Sequence, residues 1–361
     1  MSDAQTIMPL ADTRREVSEQ PMVLARVLQD LREPVRHLAA TLVARQTTHL
    51  FLLGSGDSWF AGQAARLAVE QYTGLPAEPL QAYEYAAYGH PGFDAHSAAI
   101  VISSSGRPTT TWDALDRALA SPAYVVGLSD RPYAGNPFIE KPAVALVPGA
   151  QKKGLPAQTT TAAIAVLIDL AIELGRANGH LTPAQADAYS AELRQMPGRM
   201  AQVLADSARV SEPLVAGLAD CHTYTLIGGG PSLAVAHIGG ALLAEGPQRS
   251  GLPLPVEEFH HSLRFAAIAK GEPVILIAPT GQVSARNLDT ARSLSNWGAR
   301  LIAIVDAADE AITPLADTVF TLPVVPEPMS PLLSLLPLHT LALQLGEQRV
   351  AAGHQRPAEG P

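Results

Sequence analysis

Residues 103–111 carry the densest chemistry in this 361-residue chain. They read Ser103-Ser104-Ser105-Gly106-Arg107-Pro108-Thr109-Thr110-Thr111, six hydroxyls and one guanidinium in nine positions. An apolar run at 98–102 precedes them and suits a buried parallel strand. A helical pattern at Trp112, Leu115 and Leu119 follows, with Pro108 and the hydroxyl residues as its start signal. A strand, a Ser/Gly loop and a helix start together leave N–H groups pointing outward at the positive end of a helix dipole, so an anion such as phosphate is the natural guest. The plainer alternative is a Ser/Thr-rich turn that only caps its helix.

Other stretches carry chemistry more sparsely. Gly54-Ser55-Gly56-Asp57-Ser58 forms a second tight turn after an apolar run. A full G-x-G-x-x-G is absent there and no acid sits on a following strand at the right place, which argues against a dinucleotide site. Glu245 ends a helical pattern at Gly246-Pro247, where a carboxylate opposes the helix dipole; it is a candidate base or a surface residue. Glu257 and Glu258 form an acidic pair just before His260-His261. Neighbouring side chains on an extended segment point to opposite sides, so only one of the two histidines can face a site. A metal held by Glu258, His260 and His261 is a weaker reading, because no second cluster supports it, and no metal or cofactor is expected. Lys152 and Lys153 make up half of the four lysines in the chain and fall on a loop at the carboxyl edge of a sheet, where open α/β sheets bind ligands.

The elements that must position these residues alternate. Strands are expected near 49–53, 77–80, 98–102, 123–128 and 143–147, and again near 223–227, 253–256, 274–278, 300–305 and 318–322, with helices between them. That alternation means parallel sheets with helices on both faces. The stretch FLLGSGDSWFAGQAARLAVE in the first half echoes TLIGGGPSLAVAHIGGALLAE in the second, which suggests a repeated domain. The expected division is a loose leader at 1–18, a first domain at 19–180, a connecting helix at 181–210, a second domain at 211–352 and a frayed tail at 353–361. The counterpart of the 103–111 loop in the second half, Pro279-Thr280-Gly281-Gln282, is poor in hydroxyls, so only the first half keeps a phosphate cradle.

Composition sets the outer bounds. Hydrophobic residues make up 47% and charged residues 16%, which predicts a large buried core rather than disorder. A net charge of −9 argues against a nucleic-acid surface. Cys221 is the single cysteine, so no internal disulfide or thiolate cluster can form. The most apolar stretch is too short for a membrane span and the amino end is too polar for a secretory signal, so a cytoplasmic protein without membrane partners is expected.

Two such units with a Ser-x-Ser-Gly loop after the third strand resemble the SIS (sugar isomerase) domain family. The similarity runs over residues 20–350, toward the isomerase half of glucosamine-6-phosphate synthases and stand-alone phosphosugar isomerases, deaminases and deglycases. Gly56-Asp57-Ser58 matches the family's first loop and Ser103-Ser104-Ser105-Gly106 its phosphate loop. Glu245 matches a catalytic Glu at a helix end, and His261, sixteen residues on, the histidine of a Glu-x-x-His motif. The resemblance implies two tandem flavodoxin-like αβα sandwiches, each with a five-stranded parallel sheet. Ser103, Ser104 and Ser105, with Arg107 and one of Thr109, Thr110 or Thr111, would hold a sugar phosphate. Gly56, Asp57, Ser58, Glu258 and Lys152 would contact the sugar. Glu245 would move a proton between C1 and C2, and His261, reaching in from the neighbouring subunit of a homodimer, would open the ring.

The sequence departs from the family at several positions. Leu242 stands where the synthases have a Lys, Pro108 where they have a Thr, and no Lys follows Lys270. Asp57 replaces a Thr, and Arg107 adds a cation that can offset it. The chain has no N-terminal Cys nucleophile, so glutamine is not the expected ammonia source within it. The expected function is an enzyme acting on a hexose or amino-sugar 6-phosphate, as an isomerase or as a deaminase or deglycase. The alternative is a sugar-phosphate sensor with the same cradle and no chemistry.

Overall fold

The structure is a computed structural model that describes residues 10–107, 109–218, 220–263 and 270–354. Pro108, the leader at 1–9 and the tail at 355–361 lie outside the described residues.

Among the described residues ten parallel strands form two five-stranded sheets. The first contains β1 (His49–Gly54), β2 (Ala77–Gln81), β3 (Ser97–Ile102), β4 (Tyr124–Leu128) and β5 (Val144–Leu146) in the order β2-β1-β3-β4-β5. The second contains β6 (Thr223–Gly228), β7 (Ser250–Pro255), β8 (Pro273–Ala278), β9 (Arg300–Asp306) and β10 (Thr318–Leu322) in the order β10-β9-β8-β6-β7. Read from β7, the second order repeats the first, and both are the flavodoxin-like 2-1-3-4-5 arrangement. The central strands β3 and β8 are buried along their whole length, which is why each reads as an unbroken apolar run rather than an alternating one.

The chain divides into two compact units. One comprises residues 20–151 and 158–197 and holds the first sheet. Its helices are the last part of α1 (Leu10–Asp30), then α2 (Arg32–Ala44), α3 (Asp57–Thr73), α4 (Ala82–Tyr88), α5 (Thr110–Leu119), α6 (Pro137–Glu140), α7 (Gln158–Ala177) and the start of α8 (Pro183–Ala216). α7 is apolar on nearly every face and almost wholly buried. It approaches α3 so closely that a methyl group on Gly175 would strike the Tyr72 carbonyl. Phe51, Leu53, Val101, Leu115 and Phe138 pack the core on one side of this sheet.

The other unit comprises residues 1–19, 152–157 and 198–361. It holds the second sheet, the rest of α8, α9 (Pro231–Glu245), α10 (Ser284–Trp297) and α11 (Pro331–Ala351). Gly239 and Gly240 let α9 lie tightly in this unit: a methyl group on Gly251 of β7 would collide with Gly240, and one on Gly239 would meet Leu226 at 2.6 Å. Among the described residues no helix is long and apolar enough to cross a membrane.

The amino end departs from the sequence reading. Residues 10–18, expected as a loose leader, are the first turns of α1, and the helix expected from Glu19 starts nine residues earlier. Polar burial is the reason. Glu16 is fully buried and its carboxylate accepts the N–H groups of Lys153 at 2.7 Å and Gly154 at 3.1 Å. The buried Thr13 hydroxyl accepts the Leu155 N–H at 3.1 Å. These side chains satisfy the backbone of the 152–157 loop, work that an apolar-periodicity reading does not register.

Candidate functional site

The strongest site lies at the carboxyl edge of the first sheet, where the strand order reverses between β1 and β3. A cavity there is lined by Asp57 and Ser58 from the start of α3, Ser104 after β3, Asp130 after β4, and Thr159 and Thr160 from the start of α7. The structure therefore brings together three of the sequence-predicted residues, Asp57, Ser58 and Ser104. It adds three that the sequence reading did not assign.

The 103–106 turn is held from inside. Ser103 is buried and its Oγ accepts the Gly106 N–H at 3.3 Å, while its own N–H donates to the Leu128 carbonyl at 2.9 Å. Ser105 Oγ accepts the Arg107 N–H at 3.3 Å. Gly106 sits at φ +63°, and its carbonyl accepts from Trp112 Nε1 at 3.1 Å and the Tyr133 hydroxyl at 2.5 Å. The backbone N–H groups of Ser104 and Ser105 have no acceptor among the described residues. Two neighbouring free donors beside two serine hydroxyls are the elements of an anion cradle. Thr109 is the N-cap of α5, its hydroxyl accepting the Thr111 N–H at 3.3 Å. Buried Thr111 lies 3.2 Å from Ser55 Oγ and ties this loop to the β1 turn. Thr110 and Arg107 are exposed.

Asp130 is the residue that sequence reasoning missed most clearly, because residues 129–137 read by composition as a turn. It is buried, its Oδ1 accepts the Ala150 N–H at 3.0 Å, and its N–H donates to the Ser104 carbonyl at 3.3 Å. Burial pushes its carboxyl up to about 7, against the opposing pull of the Ala150 N–H and of Arg131 and Arg26. Thr160 is 2% exposed, and its hydroxyl has no partner among the described residues although it borders the cavity. The run of three threonines at the start of α7 is the sequence signal that could have found it.

The raised Asp130 carboxyl has a consequence for stability. The folded state binds this proton up to about pH 7 and the unfolded chain only to about pH 4, so the stability it contributes is present at low pH and lost as pH rises through 7. Asp130→Asn keeps the acceptor for Ala150 and removes the charge. We expect its stability advantage over the parent to grow by roughly 3 kcal/mol between pH 5 and pH 8. Thermal unfolding at the two pH values checks this, and an offset that does not change with pH would count against it.

The other unit carries Glu245 and the histidines. Glu245 is half-buried as the last residue of α9. The chain leaves it through Gly246 and reaches Gln248 at φ +56°, a left-handed conformation that a non-glycine residue adopts at a cost of about 1–3 kcal/mol. The Arg249 N–H closes this loop onto the Leu243 carbonyl at 2.8 Å. Phe259 is buried, and Glu258 begins a single 3₁₀ turn, exposed. His260 Nε2 lies 2.8 Å from Thr290 Oγ1, whose hydroxyl donates to the Arg286 carbonyl at 2.9 Å. The Thr290 oxygen therefore accepts from the His260 ring. His261 is exposed, its Nε2 3.3 Å from Glu257 Oε1, and Arg286 Nε donates to Glu257 Oε2 at 2.5 Å. That hydrogen bond holds the Glu257 carboxyl below its usual value. The adjacent histidines thus have separate surroundings, one packed on Thr290 and one in solvent. Lys152 is half-buried at the head of the 152–157 loop. Among the described residues no three His, Cys, Asp or Glu side chains gather as a metal site.

A parallel sheet with a hydroxyl-lined cavity at its switch point defines a doubly wound α/β protein, a class in which ligands bind at the strand ends. Residues 217–345 match the SIS domain family. The chain is 28% identical, over 93% of its length, to a glutamine–fructose-6-phosphate aminotransferase (isomerizing) of Mycobacterium bovis, and covers 55% of that protein. The chain spans about half the length of the curated relatives it matches. In fold it is similar to the C-terminal domain of glucosamine-fructose-6-phosphate aminotransferase from Francisella tularensis, with a TM-score of 0.82 at 19% identity over 92% of this chain and 94% of that one. A glucosamine-6-phosphate deaminase from Thermotoga maritima aligns with a TM-score of 0.72 at 14% identity, over 93% and 94% of the two chains.

Proposed function

We propose that the protein is an enzyme acting on a hexose 6-phosphate or its 2-amino form, through an open-chain enediol or enolamine. The observation that carries this reading is the cradle after β3: two unpaired backbone N–H groups, at Ser104 and Ser105, in a serine loop at the switch point of the sheet. Relatives named for fructose-6-phosphate aminotransfer and glucosamine-6-phosphate deamination support the substrate class. In this reading the phosphate sits on Ser103, Ser104 and Ser105, with a hydroxyl from the 109–111 run. Glu245 takes the proton from one of C1 and C2 and returns it to the other. His261, supplied by the second subunit of a homodimer, moves the ring-opening proton. In the deaminase variant, water replaces the nitrogen at the carbon that becomes the carbonyl, and ammonia leaves. Asp57 and Asp130 border the cavity with Ser104, an acidic lining that suits an amino or hydroxyl substituent better than a second phosphate.

A panel of hexose 6-phosphates, hexosamine 6-phosphates and fructosamine 6-phosphates, scored by thermal stabilisation and then by ammonia release and ketose formation, tests the proposal. A ligand present at about 100 times its Kd adds about 2.7 kcal/mol to stability, so a true substrate stands out from the unphosphorylated sugar. No stabilisation by any phosphorylated sugar would remove the proposal. Stabilisation without turnover would leave the sensor reading.

A further inference from the structure

The two sheets share one strand order, so the loop after β8 occupies in the second unit the place that the loop after β3 occupies in the first. The two loops differ in what their backbone N–H groups meet. In the first, Ser104 and Ser105 are unpaired among the described residues. In the second, three consecutive N–H groups are all taken. Thr280 donates to Asp306 Oδ2 at 2.5 Å, Gly281 to Ser284 Oγ at 3.0 Å and Gln282 to Glu327 Oε2 at 3.0 Å.

Glu327 arrives from a different part of the chain, the 3₁₀ turn Glu327–Met329 just before α11. Its carboxylate lies over Gly281, where an added methyl group would meet Glu327 Cγ at 2.8 Å. The same carboxylate stands 3.5 Å from where a methyl group on Gly230 would sit, at the turn after β6. It is therefore flanked by the turns that lead into α9 and α10, the counterparts of the β1 and β3 turns in the first unit. Asp306 makes the same contrast. It ends β9 as Asp130 follows β4, but its carboxylate turns to the loop after β8, whereas that of Asp130 turns away to Ala150.

We infer that the second unit retains an anion site of the same plan and that built-in carboxylates fill it from within in the place of a phosphate, Glu327 on the Gln282 N–H beside Asp306 on the Thr280 N–H. A charged acceptor on backbone donors is stronger than a neutral one, and Glu327 carries no competing ion pair among the described residues. The site is thus closed to external anions, and the chain offers one phosphate cradle rather than two. The count of one rests on the proposed function; the occupancy of the second site by Glu327 does not.

The test uses the full chain and inorganic phosphate. Equilibrium dialysis with radiolabelled phosphate should give one more site per chain for Glu327→Ala than for the parent. The parent's own count reads the first-unit cradle separately, so a parent count of zero bears on the proposed function alone. Glu327→Gln keeps the shape without the charge. It should gain no phosphate site and should melt about 2 °C or more below the parent, without recovery in phosphate. For Glu327→Ala the lost stability should return in phosphate but not in chloride of equal ionic strength. The inference is overturned if Glu327→Ala binds no additional phosphate. Should that variant not fold even in phosphate, a Glu327→Gln melting temperature equal to the parent's overturns it.

Discussion

Replacing Glu245 by Gln should lower turnover of the phosphorylated sugar by about 10³-fold while stabilisation by the same sugar persists. Glutamine matches glutamate in shape and removes only the ability to carry a proton between adjacent carbons. The position is well defended against movement. α9 is clamped against its neighbours through Gly239 and Gly240, and the exit is closed by Gly246, the strained Gln248 and the Arg249–Leu243 hydrogen bond. In the proposed function, Glu245→Gln should therefore alter turnover and leave the melting temperature of the protein unchanged. Binding should survive because the proposed phosphate site is the serine loop after β3. The same variant probes the proposed sharing of His261. Mixing Glu245→Gln chains with His261→Ala chains places one intact Glu and one intact His at one of the two sites of each mixed dimer. About a quarter of parental activity should then return if sites are shared in a two-fold dimer. Turnover of Glu245→Gln within tenfold of the parent would reassign the base, and no recovery on mixing would return His261 to its own subunit.

How much of this was legible in the sequence varies with the physics of each element. All ten strands were, because a parallel strand covered on both faces must be a short apolar run between turn residues, as at β3 and β8. The weaker site in the second half was visible as a loss of hydroxyls at 279–282, but its cause was not. Glu327 is 45 positions from Gln282, and no local pattern marks a carboxylate that closes a distant loop. The first turns of α1 were illegible for a related reason: Thr13 and Glu16 are buried for their oxygens, and a polar stretch reads as solvent-facing. Asp130 was hidden because Gly, Pro, Asn and Asp together signal a turn, which residues 129–136 do form, while the role of each residue within it follows from the strand ends around it. Of the hydroxyls at 103–111, counting them indicated a phosphate but could not divide the labour. Thr109 caps a helix, Thr111 bridges to Ser55, and the Ser104 and Ser105 backbone N–H groups have no partner among the described residues.

That division makes Gly106 the point where the cradle is most easily broken. Gly106→Ala should weaken hexose 6-phosphate binding by about 100-fold, equivalent to about 2.7 kcal/mol. The residue sits at φ +63°, where a side chain costs about 1 kcal/mol or more. The added methyl group would also lie 2.6 Å from Asn136 Cγ. Asn136 cannot yield. Its Nδ2 donates to Ser129 Oγ at 3.0 Å and to the Arg131 carbonyl at 2.8 Å, and its Oδ1 accepts the Phe138 N–H at 3.0 Å as the cap of α6. The loop must move instead, against the Trp112 and Tyr133 hydrogen bonds on the Gly106 carbonyl, and the Ser104 and Ser105 N–H groups move with it. Gly135→Ala is the matched control: Gly135 has φ +90° with open space around it, so it loses only the backbone preference and keeps its affinity. Calorimetric titration of both variants separates the two effects. If Gly106→Ala binds the sugar phosphate as tightly as Gly135→Ala does, the phosphate is not held at this loop.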